Sequence, residues 1–234
     1  MPACSAQKTV LLIGASRGLG FAMTEEYLAR GHKVIATGRD GSKDALYPLA
    51  EKYPGSLEVE TVDIRVPAQL EELHARLGER QIDMLFVNAG VKNDDSETIA
   101  DVSTEEFIRV MVTNALSPMR AIERLQQRVA PDGTIGVMSS GQGSLTNNTH
   151  GQHEVYRGSK AALNMFMRSF AARHSDDPRT LLLMAPGWVK TDLGGAQARL
   201  TIEESIPNLV NVIEEYAGRS GLHYLDYLGR VVPW

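Results

Sequence analysis

The chain has 234 residues, 43% of them hydrophobic and 23% charged: enough for one buried core, too apolar for disorder and too polar for a membrane protein. A net charge of -5 with scattered Lys and Arg excludes the clustered basic surface that nucleic-acid phosphates require. The single cysteine, Cys4, cannot form an internal disulfide, and no leader-like or bilayer-spanning apolar run is present, so a cytoplasmic location is expected.

Short apolar runs at 9–13, 34–37, 57–62, 84–87, 134–138 and 181–184 read as buried strands. Amphipathic patterns at 18–30, 67–77, 104–129 and 154–174 read as the helices between them, with Gly31 and Gly78 as stops and Ser103 with Glu106 as a capping box. Such alternation with right-handed crossovers predicts a parallel sheet covered on both faces. After Pro186-Gly187 the rhythm changes to a polar, Gly-rich stretch at 190–200 and a helix at 201–216, read together as a substrate flap over about 188–216. Residues 224–230 supply a last strand and turn, and with no repeat or linker the expectation is a single domain, 1–234.

Directly after the first strand stands Gly14-Ala15-Ser16-Arg17-Gly18-Leu19-Gly20, whose glycines let a helix N-terminus approach a pyrophosphate without Cβ obstruction. At the end of the second strand, where a carboxylate would bind the ribose 2′-OH of NAD, the chain has Gly38 followed by Arg39. Arg17 and Arg39 together suit a 2′-phosphate, so NADP(H) is expected; the alternative is two solvated arginines. Asp63-Ile64 ends the third strand on the same carboxyl edge, where its carboxylate and backbone would stand by the adenine, and Asn88-Ala89-Gly90 ends the fourth, offering an amide and a close backbone approach to the cofactor.

Tyr156 and Lys160 lie one helical turn apart on one face. A tyrosine with a pKa near ~10 needs help to exchange a proton at neutral pH, and a neighbouring ammonium favours the phenolate and lowers that pKa. Ser139-Ser140 ends the fifth strand and offers a hydroxyl to a substrate carbonyl. Asn114 falls inside a helical pattern, where Asn is mildly unfavourable, and is read as holding a water or kinking the helix. His150 and His153 have no ligand partners at metal spacing and read as loop residues, as does the acidic run Asp94-Asp95-Ser96-Glu97. Trp188 is read either as pocket wall or as flap anchor, and Trp234 as packing or an oligomer contact.

In this order these residues resemble the short-chain dehydrogenase/reductase family across almost the whole chain. The match comprises the glycine loop, Asn88-Ala89-Gly90, Asn114, Ser140, Tyr156 with Lys160, and Pro186-Gly187 with Thr191. The stretch from Pro186 to Gly195, Thr201 to Ser205, and Pro233-Trp234 are similar to the C-factor-like and sniffer-type carbonyl reductase branch. The resemblance implies a single-domain, Rossmann-type doubly wound α/β fold and hydride transfer between NADPH and a small ketone or aldehyde. It assigns Ser140 to polarising the carbonyl, Tyr156 to donating the proton, Lys160 to lowering the Tyr156 pKa and binding ribose, and Asn114 to a relay water. Pro186, Gly187, Val189 and Thr191 would meet the nicotinamide end, and a homodimer or homotetramer through the long helices is implied. Ile13 stands where the family has Thr, Gly158 interrupts the Tyr-Lys turn, and the segment from Ser140 to Tyr156 is longer than usual, which leaves Ser139 open beside Ser140.

Overall fold

A computed structural model describes residues 7–234, so Cys4 lies outside the described residues. The elements run β1 Thr9–Ile13, α1 Gly18–Ala29, β2 Lys33–Gly38, α2 Tyr47–Lys52, β3 Leu57–Thr61, α3 Pro67–Leu77, β4 Ile82–Val87 and α4 Thr104–Met111. They continue as α5 Ser117–Leu125, β5 Val129–Met138, α6 Glu154–Arg173, β6 Thr180–Ala185, α7 Ile202–Tyr216 and β7 Gly221–Asp226. The seven strands form one parallel sheet in the order β3-β2-β1-β4-β5-β6-β7. Because the order reverses between β1 and β4, connections leave those neighbours in opposite directions and open a crevice at their carboxyl ends.

Strand alternation builds two cores. Leu11 and Ile13 of β1 pack with Leu70 and Leu73 of α3, Ile122 of α5, and Met167 and Phe170 of α6. On the other face Val10 and Leu12 pack with Met23 and Tyr27 of α1 and Leu209 and Ile213 of α7. Within β5, Gly136 admits the Phe86 ring, since a Cβ there would lie 2.5 Å from it.

The pattern expected as one helix over 104–129 is divided. After α4 the chain makes a π turn at Val112–Leu116, α5 begins with Pro118 in its first turn, and a 3-10 turn at Gln126–Arg128 leads straight into β5. That strand starts at Val129, ahead of the expected 134, because Pro131-Asp132-Gly133 forms an irregularity inside it and not a loop before it: the pairing with β4 shifts register between Ile82 and Met84. The short α2, entered through a 3-10 turn at Lys43–Leu46, was not expected. Thr201 and Glu204 form a full capping box at the start of α7. That helix buries Ile206, Leu209 and Val210, so the second half of the segment expected as a flap over 188–216 is packed into the core.

Both margins of the sheet carry features that discourage a further strand. Glu58 and Glu60 of β3 pair with Arg80 and Arg76 at 2.5 and 2.7 Å. On the free side of β7 the chain turns back so that Asp226 N–H donates to Arg230 O and Val232 N–H to Tyr224 O, both at 2.9 Å.

Gly158 faces open space on α6, with nothing within 4 Å of a Cβ placed on it. Gly158→Ala is therefore expected to stabilise the protein by about 0.5–1 kcal/mol, read as a Tm increase of a few degrees. A lower Tm would mean that the glycine is required by the helix after all.

Candidate active site

The glycine loop is set by backbone contacts. Gly14 and Gly18 take φ of +87° and +54°, the left-handed region that glycine enters without a Cβ penalty. A Cβ on Gly14 would lie 2.7 Å from Ala89 N, and one on Gly20 would lie 2.2 Å from Gly14 O. The Asn88 amide donates to Gly14 O at 2.8 Å, while the Asn88 and Ala89 N–H groups share Ile13 O. Gly14 N–H donates to the hydroxyl of buried Thr37 at 3.1 Å. Sequence reasoning missed Thr37, which brings a hydroxyl from β2 to a loop whose own preceding residue, Ile13, has none. α1 then begins without a side-chain cap and without an acidic residue in its first turn, leaving its N–H groups and positive dipole end for an anion.

The β2 loop is tied to the glycine loop through Ser42, also missed: its hydroxyl accepts from Ser16 Oγ at 3.3 Å and donates to Arg39 O at 3.0 Å. Gly38 has no room for a side chain, since a Cβ would lie 2.8 Å from Lys43 Cα. Arg39 is exposed, and Arg17 is exposed and pairs with Asp192 at 3.4 Å. Asp63 is held by both of its oxygens to Arg65, at 3.1 and 2.7 Å, which keeps its carboxyl below the usual range. That carboxylate is thus committed within its own loop, and Ile64 is buried in the core.

On the catalytic side the two serines separate. Ser139 is buried and donates to Asn164 Oδ1 at 2.6 Å. Ser140 accepts from Gln142 N–H at 3.1 Å, capping a 3-10 turn at Gly141–Gly143, and its hydroxyl lies close enough to Tyr156 to act on the phenol. Tyr156 is placed by an unusual helix entry: Gly151, Gln152 and His153 all take positive φ, of 66°, 60° and 51°. Two non-glycine residues in that region cost about 1–2 kcal/mol each. Contacts to the 91–101 loop offset this, with His153 Nδ1 3.1 Å from Asp95 and Glu154 Oε2 accepting from Ile99 N–H at 2.6 Å. The acidic run expected to be solvated is thus partly a clasp on α6.

Lys160, one turn along α6 and buried, donates to Met138 O at 2.8 Å and lies 5.8 Å from the Tyr156 ring centroid. Asn114 sits in the π turn, fully buried; its amide accepts from Val91 N–H at 2.8 Å and donates to Val91 O at 2.7 Å and Ser159 Oγ at 2.9 Å. Its side chain is thus spent on protein groups. Between Asn114 and Lys160 lies Gly90, a Cβ on which would be 3.5 Å from each.

Burial decides the charge states. It pushes the Tyr156 phenol up to about 12, with the hydrogen bond to Ser140 acting in the opposite direction, and it lowers Lys160 to about 8. In this state of the protein the Tyr156 phenol is thus raised by loss of water around it, with Lys160 5.8 Å from its ring centroid. At neutral pH the phenol is protonated and the lysine largely charged.

The segment after β6 closes over the glycine loop. Ser205 Oγ donates to Pro186 O at 2.7 Å, Gly187 turns at φ +83°, and Val189 bridges to Leu200. Thr191 comes to rest over Gly18, its methyl 3.8 Å from where a Cβ would stand, and accepts from Gly194 N–H at 3.0 Å. The Trp188 indole donates to Gly194 O at 2.7 Å, tying the two ends of this stretch together. Among the described residues, no three His, Cys, Asp or Glu side chains group to hold a metal, and no helix is long and apolar enough to cross a membrane.

This fold and edge define a nucleotide-dependent dehydrogenase. The short chain dehydrogenase family model matches residues 8–200, and the chain belongs to that family. A short-chain dehydrogenase/reductase assignment is carried by a Burkholderia multivorans structure with bound NADP, 56% identical over 97% of this chain and 100% of that one, with a TM-score of 0.96. A carbonyl reductase from Pseudomonas aeruginosa PAO1 in complex with NADP is 37% identical over 98% and 100%, with a TM-score of 0.90. The C-signal protein of Myxococcus xanthus is 35% identical over 65% of this chain and 93% of its own length, which agrees with the C-factor and carbonyl reductase side of the family.

Thr37→Val keeps the shape of the side chain and removes the acceptor of Gly14 N–H. It is expected to cost about 1–2 kcal/mol, measured by urea denaturation. An unchanged midpoint would show that the hydroxyl does not hold the loop.

Proposed function

We propose that the protein is a carbonyl reductase-like oxidoreductase that transfers a hydride between NADPH and a small ketone or aldehyde, or the corresponding alcohol. The observation that carries this reading is the meeting of Ser140, Tyr156 and Lys160 at the end of β5, beside Gly90 and one strand away from the glycine loop. Bound there, NADPH supplies the hydride.

The loop and the free first turn of α1, with Gly14, Ser16, Gly18, Leu19 and Gly20, suit the pyrophosphate. Arg17 and Arg39, brought to neighbouring loops by Ser16 and Ser42, suit the 2′-phosphate, and the absence of a carboxylate at Gly38 removes the group that would repel it. Since the Asp63 carboxylate is taken by Arg65, the 63–64 pair contributes mainly main chain beside the adenine. Asn88, Ala89 and Gly90 line the crevice, Lys160 holds the ribose, and Pro186, Gly187, Val189 and Thr191 hold the nicotinamide end. NADP in the two solved relatives supports this assignment.

In the reduction, Ser140 donates a hydrogen bond to the carbonyl oxygen and Tyr156, protonated at neutral pH, gives that oxygen its proton as the hydride arrives at carbon. Lys160 stabilises the phenolate left behind. With the Asn114 amide already engaged, a relay water here is held by main chain at the π turn. Exposed Phe107, Ile108 and Leu116 on the α4 side, with Met165 and Phe166 on α6, suit a homodimer or homotetramer contact.

The test is a panel of ketones, aldehydes and quinones with NADPH and NADH in parallel. Tyr156→Phe is expected to lower kcat by at least about 10³-fold while NADPH affinity stays within a few-fold. Retained turnover would sink the mechanism, and tight NADPH binding without oxidation by any substrate would favour a regulatory nucleotide-binding protein. Because Lys160 loses its proton near pH 8, kcat/KM for reduction should fall as pH rises through about 8. A profile flat to pH 10 would remove the ammonium from the mechanism.

A further inference from the structure

The Ser140 main chain is held from a strand that none of the catalytic groups belong to. Tyr224, on β7, is only 3% exposed, and its hydroxyl donates to Ser140 O at 2.5 Å. Ser140 O also accepts from Gly143 N–H at 2.9 Å, which closes the 3-10 turn that the Ser140 side chain caps. Nearby, Lys160 holds Met138 O, and Asn164 holds both the Ser139 hydroxyl and Gly143 O, the latter at 3.2 Å. Among the described residues, and apart from the β5–β6 pairing at Met138, the other ties on residues 138–143 come from α6 or from the turn itself. Tyr224 alone approaches from β7.

The Tyr224 ring is itself buttressed. Trp234 packs on it with ring centroids 5.4 Å apart, and the Arg168 guanidinium lies 4.4 Å from the Trp234 ring centroid. The main-chain oxygen of Trp234 accepts from both N–H and Oγ1 of Thr146, at 3.0 and 2.6 Å. One end of this assembly therefore grips the loop just beyond the serine, and the other grips α6. A tyrosine buried this deeply needs a partner for its hydroxyl, and the partner chosen is the carbonyl of the residue whose side chain faces Tyr156.

We propose that Tyr224 is a positioning residue for Ser140: its hydroxyl fixes the peptide plane after Ser140, so that the Ser140 Oγ stays directed at the Tyr156 phenol and the substrate carbonyl. This rests on the reading above of Ser140 as the carbonyl-polarising group. Without the hydroxyl, Ser140 O keeps only its bond within the turn, and the Ser140 side chain can rotate toward Gln142 N–H alone. The cofactor crevice, built from β1, β2 and α1, is untouched.

The experiment uses the full chain labelled with 13Cζ-tyrosine, without cofactor, the Tyr156 resonance being identified by its loss in Tyr156→Phe. Tyr224→Phe keeps the ring and its stack on Trp234. It is expected to move the Tyr156 resonance in the same direction as Ser140→Ala does, and to move it no further when added to Ser140→Ala. In turnover, kcat should fall about tenfold with KM for NADPH within about twofold, and this loss should also vanish in the Ser140→Ala background. A Tyr156 resonance unmoved in folded Tyr224→Phe overturns the proposal, as do losses that multiply in the double variant. Should Tyr224→Phe fold poorly, Trp234→Leu frees the ring while keeping its hydroxyl and is expected to shift the resonance the same way by less; no shift overturns the proposal too. The resonance distinguishes the two levels of failure: a wild type that reduces no carbonyl, yet shows the Ser140-dependent shift, refutes the function and not the positioning.

Discussion

Close approach between two backbone turns, the one after β1 and the one after β4, governs the geometry of the whole carboxyl edge. Gly14 O must be reached by the Asn88 amide while Gly20 passes within a Cβ's breadth of the same oxygen. No side chain fits at either glycine, so the two turns lock as main chain against main chain. The reversal of strand order falls between these same two strands, and the crevice it opens inherits their spacing. α1 is aimed by the first turn; Gly90, a Cβ on which would lie 3.5 Å from both Asn114 and Lys160, is placed by the second. The edge bearing the glycine loop and the edge bearing Asn114 and Lys160 are in this sense one object.

α6 measures the distance from that object to the serine loop. Its ammonium reaches back to Met138 O, and its Asn164 reaches Ser139 and Gly143. Holding a lysine in so dry a place has a thermodynamic signature. Its folded pKa near 8 lies below the unfolded value near ~10.4, so its charged form costs on the order of 3 kcal/mol below pH 8. That cost is relieved as pH rises from about 8 toward the unfolded value. The strained entry to α6 at Gln152 and His153 adds to it, and the stapling of that entry to the 91–101 loop offsets part of both.

Strands were legible because parallel strands buried on both faces are short apolar runs, and all six expected runs lie within observed strands to a residue at most. Asn114 was legible as an anomaly, since a buried amide in a helical pattern asks for a reason, and the π turn supplies it. The single long helix over 104–129 was misread because Pro118 is tolerated in a first turn and the apolar pattern runs through the break. α2 is too short to show a period. Thr37, Ser42 and Tyr224 stayed hidden for a different reason: each acts through one hydroxyl on a group far away in sequence, main chain for Thr37 and Tyr224 and the Ser16 hydroxyl for Ser42, and no local pattern marks such a residue. Asn164, four residues beyond Lys160 on the same helical face, could have been found by extending the Tyr-Lys spacing one more turn. The direction of the Tyr156 shift was beyond sequence altogether, because it depends on how much water the fold removes.

The folded-back tail on β7 and the ion-paired glutamates of β3 have a consequence for how copies of this chain can meet. A seven-stranded sheet with two bare margins could recruit an eighth strand from another molecule and grow. Here residues 230–232 already hydrogen-bond the end of the last margin, at Tyr224 and Asp226, and at the first stand the charged Glu58 and Glu60 with their arginine partners. Addition of a further strand is thereby discouraged by different means at the two margins, by cover at the end of β7 and by charge on β3.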